Sequence, residues 1–347
     1  MDFIEVDGSK GEGGGQILRG AVAFSAILRK PVRVSKIRAG RSEPGLKRQH
    51  LSALQVLAKI FEGELTGAKE GSSVISFVPN EPRLNALSID MGTAASITLV
   101  LQAVVPAVAL NRTSLSLDLV GGTDVPWSPT CDYYDRVVSE AFGSIGIDFD
   151  VDVLRRGYYP RGGGKVTSKV RPSKGVSSAD MREGHRVTGA SVVSRCGSLP
   201  KHVAERQLAA ATKALESAGV PVLGSEIAEE RTESPGSSIL VHYVGRGVYL
   251  GADALGARGK PAEDVGREAA SRFVAAAKSG ASLDSNLADM LLPLLSMASR
   301  PSQVRVPEVT EHLRSGLDLA KQFTSCAWSA DASDGGAVVR VEPSQAS

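Results

Sequence analysis

Cysteine is scarce in this 347-residue sequence, and long apolar runs are missing. The chain has only Cys131, Cys196 and Cys326, an odd number without a CxxC spacing, so the pattern indicates neither a disulfide framework nor a thiolate zinc site. We expect three reduced cysteines that serve as small packing residues. No uninterrupted apolar run approaches the roughly 18 residues that are needed to cross a bilayer, and we therefore predict no membrane partner.

A targeting segment and a strong net charge are also missing. The start, MDFIEVDGSKGEGGG, has no basic region followed by an apolar stretch, and we expect a cytoplasmic protein. The formal net charge is only +2, so a polyanionic partner would have to bind to a local basic patch. Hydrophobic residues make up 42% of the chain, which excludes a disordered protein.

The order of predicted helices and strands repeats along the chain. Residues 3–78 have the apolar spacing of a β-α-β-α-β-β unit, and residues 87–170 show the same order again. Residues 287–341 supply most of a third copy. The helices predicted in the second and third copies include Thr93–Leu110 and Leu287–Met297. The sequence therefore predicts an α/β fold, also classed as α+β, with three such repeats.

A different order of elements interrupts the front of the third copy, which predicts an inserted, smaller α/β domain at residues 183–280. Residues 1–182 and 281–347 would then form the core domain. This agrees with the length, which at about 150 residues per domain suggests two domains or one domain with an insertion. The pattern leaves open whether the strand Ala190–Ser194 opens the insert or completes the third repeat.

A glycine cluster, GEGGGQ at Gly11–Gln16, lies between the first strand and the first helix. Bare glycine amides at a helix N-terminus can bind a phosphate, although a plain tight turn is an equally good interpretation. The cluster lacks the Lys-Ser/Thr of a P-loop and the third glycine of a dinucleotide fingerprint. Glu12 favours a functional role, because a carboxylate beside phosphate-binding amides makes most sense with a divalent cation, Mg²⁺ or Mn²⁺, between them.

A basic stretch at Ile37–His50 follows the second strand. One interpretation is that these side chains simply lie on a solvated surface and bind nothing. Arg38 and Arg41 bracket a glycine in a loop, however, and this placement suits bidentate phosphate contacts. His50 falls on the apolar stripe of the next helix, so a hydrogen-bonded core histidine is at least as good an interpretation as a catalytic one.

Two further motifs have weaker signals. Arg156–Val166, RGYYPRGGGKV, joins two strands in a second basic stretch, and its pattern indicates only a hairpin-like connection. Thr310 is a candidate N-cap that places His312 in the first turn of the last helix. The helix dipole there favours a neutral imidazole, as nucleophilic attack on phosphorus requires, although a surface histidine is the better interpretation from this motif alone.

Taken together, the motifs resemble those of the RNA 3'-terminal phosphate cyclase family over nearly the whole chain. The segment LGARGKPAEDVG is more similar to archaeal and eukaryotic members than to bacterial ones. The ordered motifs are DGSKGEGGGQILR (Asp7–Arg19), IRAGRSEPGLKRQHL (Ile37–Leu51), TLVLQAVVPA (Thr98–Ala107), GGTDVPWSPTCDY (Gly121–Tyr133), RGYYPRGGGKV, HVAER (His202–Arg206), NLADMLLPL (Asn286–Leu294) and TEHLRSG (Thr310–Gly316).

The resemblance implies a fold and a reaction. The three repeats would be similar to the C-terminal domain of bacterial initiation factor three, with one inserted domain. ATP would adenylate an active-site histidine and release pyrophosphate. The AMP would move to an RNA 3'-phosphate, and the neighbouring 2'-hydroxyl would then displace AMP to give a 2',3'-cyclic phosphate. The partners are thus ATP and an RNA with a 3'-phosphate end; the oligomeric state stays open, with a homodimer as one option.

The resemblance also implies roles for individual residues. His312 is the adenylated histidine by position, and Glu12 lies near the metal. Phosphate or RNA binding falls to Arg19, Arg38, Arg41 and His50, and ATP binding to Gln102, Pro129, Asn286, Leu287, Ala288, Asp289 and Met290.

Two rival functions come from other classes. One is a non-catalytic, cyclase-like RNA-binding protein of ribosome assembly, which shares the fold and lacks the nucleophile; His312 argues against it. The other is an enolpyruvyl transferase, which is also built from β-α-β-α-β-β units but would need neither a histidine nucleophile nor ATP.

Overall fold

The computed structural model describes residues 2–11, 15–183 and 187–344. Within these ranges the chain forms four four-stranded mixed sheets with helices packed against them. The predicted α/β class is confirmed. None of the helices in these ranges is long and apolar enough to cross a membrane.

The first sheet has the strand order β1-β2-β4-β3. β1 and β2 run parallel, and β4 is antiparallel to both of its neighbours. A parallel pair needs a crossover, and helix α1 supplies it. The elements are β1 (Ile4–Asp7), α1 (Gly15–Leu28), β2 (Val32–Ser35), α2 (Arg48–Ile60), β3 (Glu64–Thr66) and β4 (Ile75–Val78).

The second sheet repeats this arrangement with the order β5-β6-β8-β7. The predicted helix from Thr93 begins later, at Ile97, because the Ser96 side chain caps it by accepting the N–H of Leu99. The elements are β5 (Ala86–Asp90), α3 (Ile97–Leu110), β6 (Leu115–Gly121), α4 (Cys131–Tyr133), a π-helical segment (Tyr134–Val138), α5 (Ser139–Ser144), β7 (Asp152–Arg155) and β8 (Gly164–Val170).

After the two-residue strand β9 (Asp180–Met181) the chain forms a sheet of a different order, β11-β10-β12-β13. The strand at Ala190 belongs to this sheet, which settles the alternative that the sequence left open. Helices α6 and α7 pack on each other and against the sheet. The elements are β10 (Ala190–Gly197), α6 (His202–Ser217), β11 (Val222–Glu230), β12 (Gly236–Gly245), β13 (Val248–Leu255) and α7 (Ala262–Lys278).

The last sheet has the order β15-β16-β14-β9, so the short β9 takes the place that β1 and β5 hold in the first two sheets. β9 runs parallel to β14. The predicted helix from Leu287 changes to a 3₁₀ helix where Pro293 follows. The elements are α8 (Ser285–Leu291), the 3₁₀ helix (Leu292–Met297), β14 (Ser302–Val306), α9 (Glu311–Thr324), β15 (Ala327–Ser333) and β16 (Gly336–Glu342).

Two apolar cores lie beneath these sheets. The larger core joins the first, second and last sheets, and α1 packs between α3 and α9 in its middle, where Phe24 and Phe323 stack with ring centroids 5.6 Å apart. The smaller core lies among residues 190–276. The insertion and its boundaries at 183 and 280 stay a prediction, as do the repeats and their likeness to the initiation factor domain.

Candidate active site

A cleft of about 890 Å³ opens where several helices begin. The first turns of four helices, α1, α2, α3 and α9, reach it with Gln16, Gln49, Leu99 and His312. Helix N-termini carry partial positive charge and unpaired N–H groups. Three predicted arginines, Arg19, Arg38 and Arg41, line the same cleft. Helix ends and guanidinium groups together make it a site for a strongly anionic ligand.

His312 lies in the first turn of α9, half-buried at the wall of the cleft. Thr310 caps this helix, since its Oγ1 accepts the N–H of Leu313 at 2.9 Å. The same hydroxyl donates to Asp289 Oδ1 at 2.7 Å. Gln16 Nε2 donates to the backbone carbonyl of His312 at 3.1 Å, which ties α9 to α1. The backbone that holds the imidazole is therefore fixed from two sides.

Asp284 fixes the neighbouring helix α8. Its carboxylate accepts the N–H of Leu287 at 3.1 Å as an N-cap, the N–H of Gly251 at 2.9 Å and the hydroxyl of Tyr133 at 2.8 Å. Burial raises the pKa of Asp284 to about 6. Because its three partners come from three separate segments, Asp284 sets where α8 presents Asp289 to the cleft.

Arg19 and His50 pack over Gly15 at the start of α1. A Cβ at Gly15 would lie 2.7 Å from Arg19 Nη1 and 2.6 Å from His50 Cδ2, so any larger residue there would displace these two side chains. Burial lowers the pKa of Arg19 to about 10, and its guanidinium stays charged at neutral pH. Its Nε is buried without a hydrogen-bond partner among the described residues. A buried donor of this kind suits an anionic oxygen of a ligand.

His50 is a buried, hydrogen-bonded histidine, as one interpretation of the sequence held, and its catalytic role stays a prediction. It is only 3% exposed, yet it lines the cleft. Burial, followed by the charges of Arg19 and Arg38, lowers the pKa of His50 to about 4. Lys47 donates its backbone N–H to His50 Nδ1 at 3.1 Å, so the neutral ring has its proton on Nε2. At neutral pH His50 can donate one hydrogen bond and adds no charge.

Arg38 and Arg41 come from one tight turn after β2. Lys36 and Arg38 both have left-handed backbone, with φ of 52° and 55°, and the N–H of Arg41 donates to the carbonyl of Arg38 at 3.0 Å. Arg38 is half-buried and Arg41 is exposed, and both line the cleft. Non-glycine residues rarely adopt this conformation, and here it turns the loop toward the site.

The predicted ATP-binding residues divide into two groups. Five of them line the cleft, namely Gln102, Pro129, Asn286, Asp289 and Met290. Leu287 and Ala288 are buried in the larger core instead. The helical spacing explains the division, because Asn286, Asp289 and Met290 lie three and four residues apart on one face of α8 while the two apolar residues face inward.

Sequence reasoning missed one wall of the cleft. Strand β13 and helix α7 contribute Asp253, Glu268 and Arg272. Asp253 Oδ2 accepts the N–H of Thr130 at 2.7 Å, and Arg272 Nη1 donates to the carbonyl of Asp253 at 2.8 Å. Burial raises the pKa of Asp253. Charged residues on a solvated helix give no sequence signal for such a role.

The basic stretch after Arg155 has a largely structural centre. Arg156 is 4% exposed and donates to Asp124 Oδ2 at 3.0 Å and to Asp132 Oδ1 at 2.7 Å. Arg195 of β10 donates to the other oxygen of Asp132 at 2.7 Å. Although burial acts to raise it, these two guanidinium groups hold the pKa of Asp132 below its usual range. The cluster joins the second sheet to the sheet of residues 190–255.

The predicted metal residue, Glu12, lies outside the described residues. Among residues 2–11, 15–183 and 187–344, no three His, Cys, Asp or Glu side chains are grouped so that they could hold a metal ion. The role of Glu12 and the divalent cation therefore stay predictions.

Comparison with known proteins gives one consistent result. Residues 10–329 match the model of the family described as RNA 3'-terminal phosphate cyclase. A protein of that name from Pyrococcus furiosus is 42% identical over 326 residues, 92% of this chain and 93% of the relative. The protein of that name from Staphylothermus marinus is 43% identical over 93% of this chain and 92% of its own length. The one from Pyrobaculum aerophilum is 38% identical over 98% of both chains.

Proposed function

The chain belongs to the RNA 3'-terminal phosphate cyclase family, and from this premise we propose that it uses ATP to convert an RNA 3'-phosphate into a 2',3'-cyclic phosphate through a covalent adduct of AMP with His312. One observation supports this assignment above all. His312 lies in the same cleft as four helix N-termini and three arginines. Such a cleft favours a polyphosphate beside the imidazole.

In the first step the imidazole of His312 attacks the α-phosphorus of ATP. A nitrogen–phosphorus bond forms, the bond to the β-phosphate oxygen breaks, and pyrophosphate leaves with the bonding electrons. Negative charge grows on the non-bridging oxygens and on the leaving group. Arg19, Arg38 and Arg41, which line the cleft, would stabilise this charge.

Two transfers complete the reaction. An oxygen of the RNA 3'-phosphate attacks the phosphorus of AMP, and the nitrogen–phosphorus bond breaks; protonation of the imidazole makes it a good leaving group. The 2'-hydroxyl then loses its proton and attacks the 3'-phosphorus, and AMP leaves. The products are a 2',3'-cyclic phosphate end and AMP. His312 is regenerated for the next ATP.

Positioning of the nucleophile would fall to Thr310 and Gln16. The cap by Thr310 and the hydrogen bond from Gln16 fix the first turn of α9 against α8 and α1. A fixed imidazole is worth a large rate factor, because effective molarity depends on alignment with the phosphorus. His50, neutral and with its proton on Nε2, would donate to a phosphate oxygen.

The test is a labelling experiment with two forms of radioactive ATP. ATP labelled at the α-phosphate should leave an acid-labile, alkali-stable label on the protein, whereas ATP labelled at the γ-phosphate should leave none. Addition of an RNA with a 3'-phosphate should release the label as AMP and give a cyclic phosphate end. His312→Asn should abolish labelling, and His202→Asn, at an exposed position on α6, should retain it.

Absence of label in the parent protein, together with tight RNA binding, would instead favour the non-catalytic RNA-binding alternative. Label that persists in His312→Asn would exclude His312 as the nucleophile.

A further inference from the structure

Trp127 stands at the edge of the cleft with its side chain in solvent. It is 93% exposed, the highest value among the large hydrophobic residues left exposed in the described chain. It nevertheless lines the cleft, next to Ser128 and Pro129. An indole this exposed adds little stability to the folded protein, and its place at the rim of a cleft lined by arginines leaves its face available to a ligand.

The backbone of Trp127 is also unusual, with a left-handed φ of 67°. A bulky side chain is strained in this region, and the loop around it must hold it there. Strain at an exposed tryptophan is not offset by packing of its own side chain. The conformation therefore points to a use for the projecting indole.

The loop that carries Trp127 is tied down on both sides. Before it, Asp124 accepts from Arg156 at 3.0 Å, and the carbonyl of Val125 accepts from Ser128 Oγ at 2.9 Å. After it, the carbonyl of Pro129 accepts from Thr98 Oγ1 at 2.8 Å. These contacts fix the loop while leaving the indole in solvent. A platform that is rigid before binding loses little conformational entropy when a ligand stacks on it.

The proposed reaction brings the RNA chain past this position. The RNA 3'-phosphate must enter the cleft to meet AMP on His312, while the rest of the RNA chain stays outside and crosses the rim. Bases near the 3' end are then available for stacking, and single-stranded nucleic acid is commonly bound by aromatic platforms beside cationic grooves. Arg38, Arg41 and Arg272 supply the cationic groove here.

We propose, resting on the proposed function, that the indole of Trp127 stacks on a base of the RNA close to its 3' end and so sets the affinity for single-stranded ends. Stacking needs only the face of a base, so this contact tolerates any sequence and disfavours an end that is held in a duplex. Adenine of ATP is the competing partner, since Pro129 lies two residues away, and the test separates the two.

The first measurement uses the small number of tryptophans. The chain has two, and Trp328 is half-buried on β15 with its Nε1 donating to Asp318. In Trp328→Phe, fluorescence therefore reports on Trp127 alone. Titration with a single-stranded RNA bearing a 3'-phosphate, without ATP, should quench it, and the same RNA with its 3' end in a blunt duplex should quench it far less. Equal quenching by both, or quenching by ATP alone, would overturn the proposal.

The second measurement is kinetic. Trp127→Ala should raise KM for RNA between about 5-fold and about 150-fold, the range of one lost base stack, while Trp127→Phe should keep most of the affinity. The rate of AMP labelling without RNA should change by less than about 2-fold, because the contact is made with RNA only. A slower labelling step with unchanged KM for RNA would assign the indole to adenine.

An abasic nucleotide identifies the stacked base. RNAs with an abasic site at the first, second or third nucleotide from the 3' end should bind the parent protein unequally, with one position weaker than the others. That difference should vanish in Trp127→Ala, whereas a structural role would leave it intact. If labelling of His312 fails but these binding results hold, the proposed function is wrong and the stacking site stands; the reverse pattern refutes the stacking site alone.

Discussion

The hydroxyl of Thr310 joins two helices at the candidate site, since it accepts the N–H of Leu313 in α9 and donates to Asp289 Oδ1 in α8. One side chain thereby sets both the first turn that carries His312 and the distance between that turn and α8. His312, the proposed nucleophile, and the Asp289 carboxylate that lines the cleft are therefore linked through one side chain.

Two substitutions of Thr310 should separate the effect of its hydroxyl group from the effect of its size. Thr310→Val keeps the shape but removes both hydrogen bonds, and we expect about 1 kcal/mol lower stability from the lost cap and about 10-fold slower AMP labelling from the loosened imidazole. Thr310→Ser keeps the hydroxyl and should retain both properties. Urea unfolding and labelling with α-labelled ATP measure the two effects. Normal labelling in Thr310→Val would mean that the cap does not position His312.

Removal of the buried guanidinium at Arg156 should be far more damaging than removal of its neighbour. Arg156→Met leaves Asp124 without its buried cationic partner, and loss of one member of a buried pair typically costs about 3–5 kcal/mol. Arg155 is exposed and pairs with Glu233 at the surface, so Arg155→Met should cost less than about 1 kcal/mol. Urea unfolding compares the two adjacent variants, and equal losses would contradict a structural role for the Arg156 cluster.

Because His50 is neutral in the fold, the free energy of unfolding should fall as the pH is lowered. Its pKa falls from 6.5 in the unfolded chain to about 4 in the fold, so the unfolded state takes up the proton first as pH falls. Stability from this group is complete above about pH 6.5 and is lost between about 6.5 and 4, with a slope of at most about 1.4 kcal/mol per pH unit.

His50→Gln should therefore flatten the curve of unfolding free energy against pH in that window. His242 is a necessary second measurement, because burial also lowers its pKa to about 4. His242→Gln should flatten the same curve independently, and the double variant should flatten it most. A curve of unchanged slope in His50→Gln would show that His50 is protonated in the fold.

Arg38 and Arg41 should contribute to the salt dependence of RNA binding. Each lost phosphate contact lowers the slope of log affinity against log salt by about 0.7 for a single strand. Arg38→Gln and Arg41→Gln should each show this reduction. Arg33→Gln is the matched control, because Arg33 lies on the preceding strand β2, over the Phe3 ring, and pairs with Glu5. If the slope is the same in all three variants, Arg38 and Arg41 make no phosphate contacts of their own, and their loop is simply a solvated surface.

Apolar periodicity was sufficient to predict most of the helices and strands, because a buried face repeats every two or every 3.6 residues. β9 was missed, since Asp180 and Met181 are too few to show a period. The observed helix ends differ from the predicted ones where a capping side chain or a proline determines them, as at Ser96 and Pro293. A single capping residue or proline has little effect on a hydrophobic pattern that is averaged over about ten residues.

The site was predictable where a motif is contiguous and less so where it is assembled. His312, Arg38 and Arg41 were all predicted, and all line the cleft; their roles stay predictions. Leu287 and Ala288 were included because they adjoin Asn286 and Asp289, but a helix turns neighbours to opposite sides. Arg272 comes from a distant helix, and nothing in its surroundings marks it. Trp127 lies within the motif GGTDVPWSPTCDY, but its exposure and its backbone angle are properties of the fold that the sequence does not reveal.

The order of the chain has a consequence for its synthesis. The helices that begin at the cleft are spread from residue 15 to residue 324, and the one that carries His312 is the last helix of the described chain. Its packing on α1, which stacks Phe323 on Phe24, joins the two ends of the sequence. During synthesis this segment leaves the ribosome after the other helices of the cleft, and the earlier segments lack His312. On the proposed function, a nascent chain in which His312 has not yet been made would therefore be unable to form the adduct with AMP.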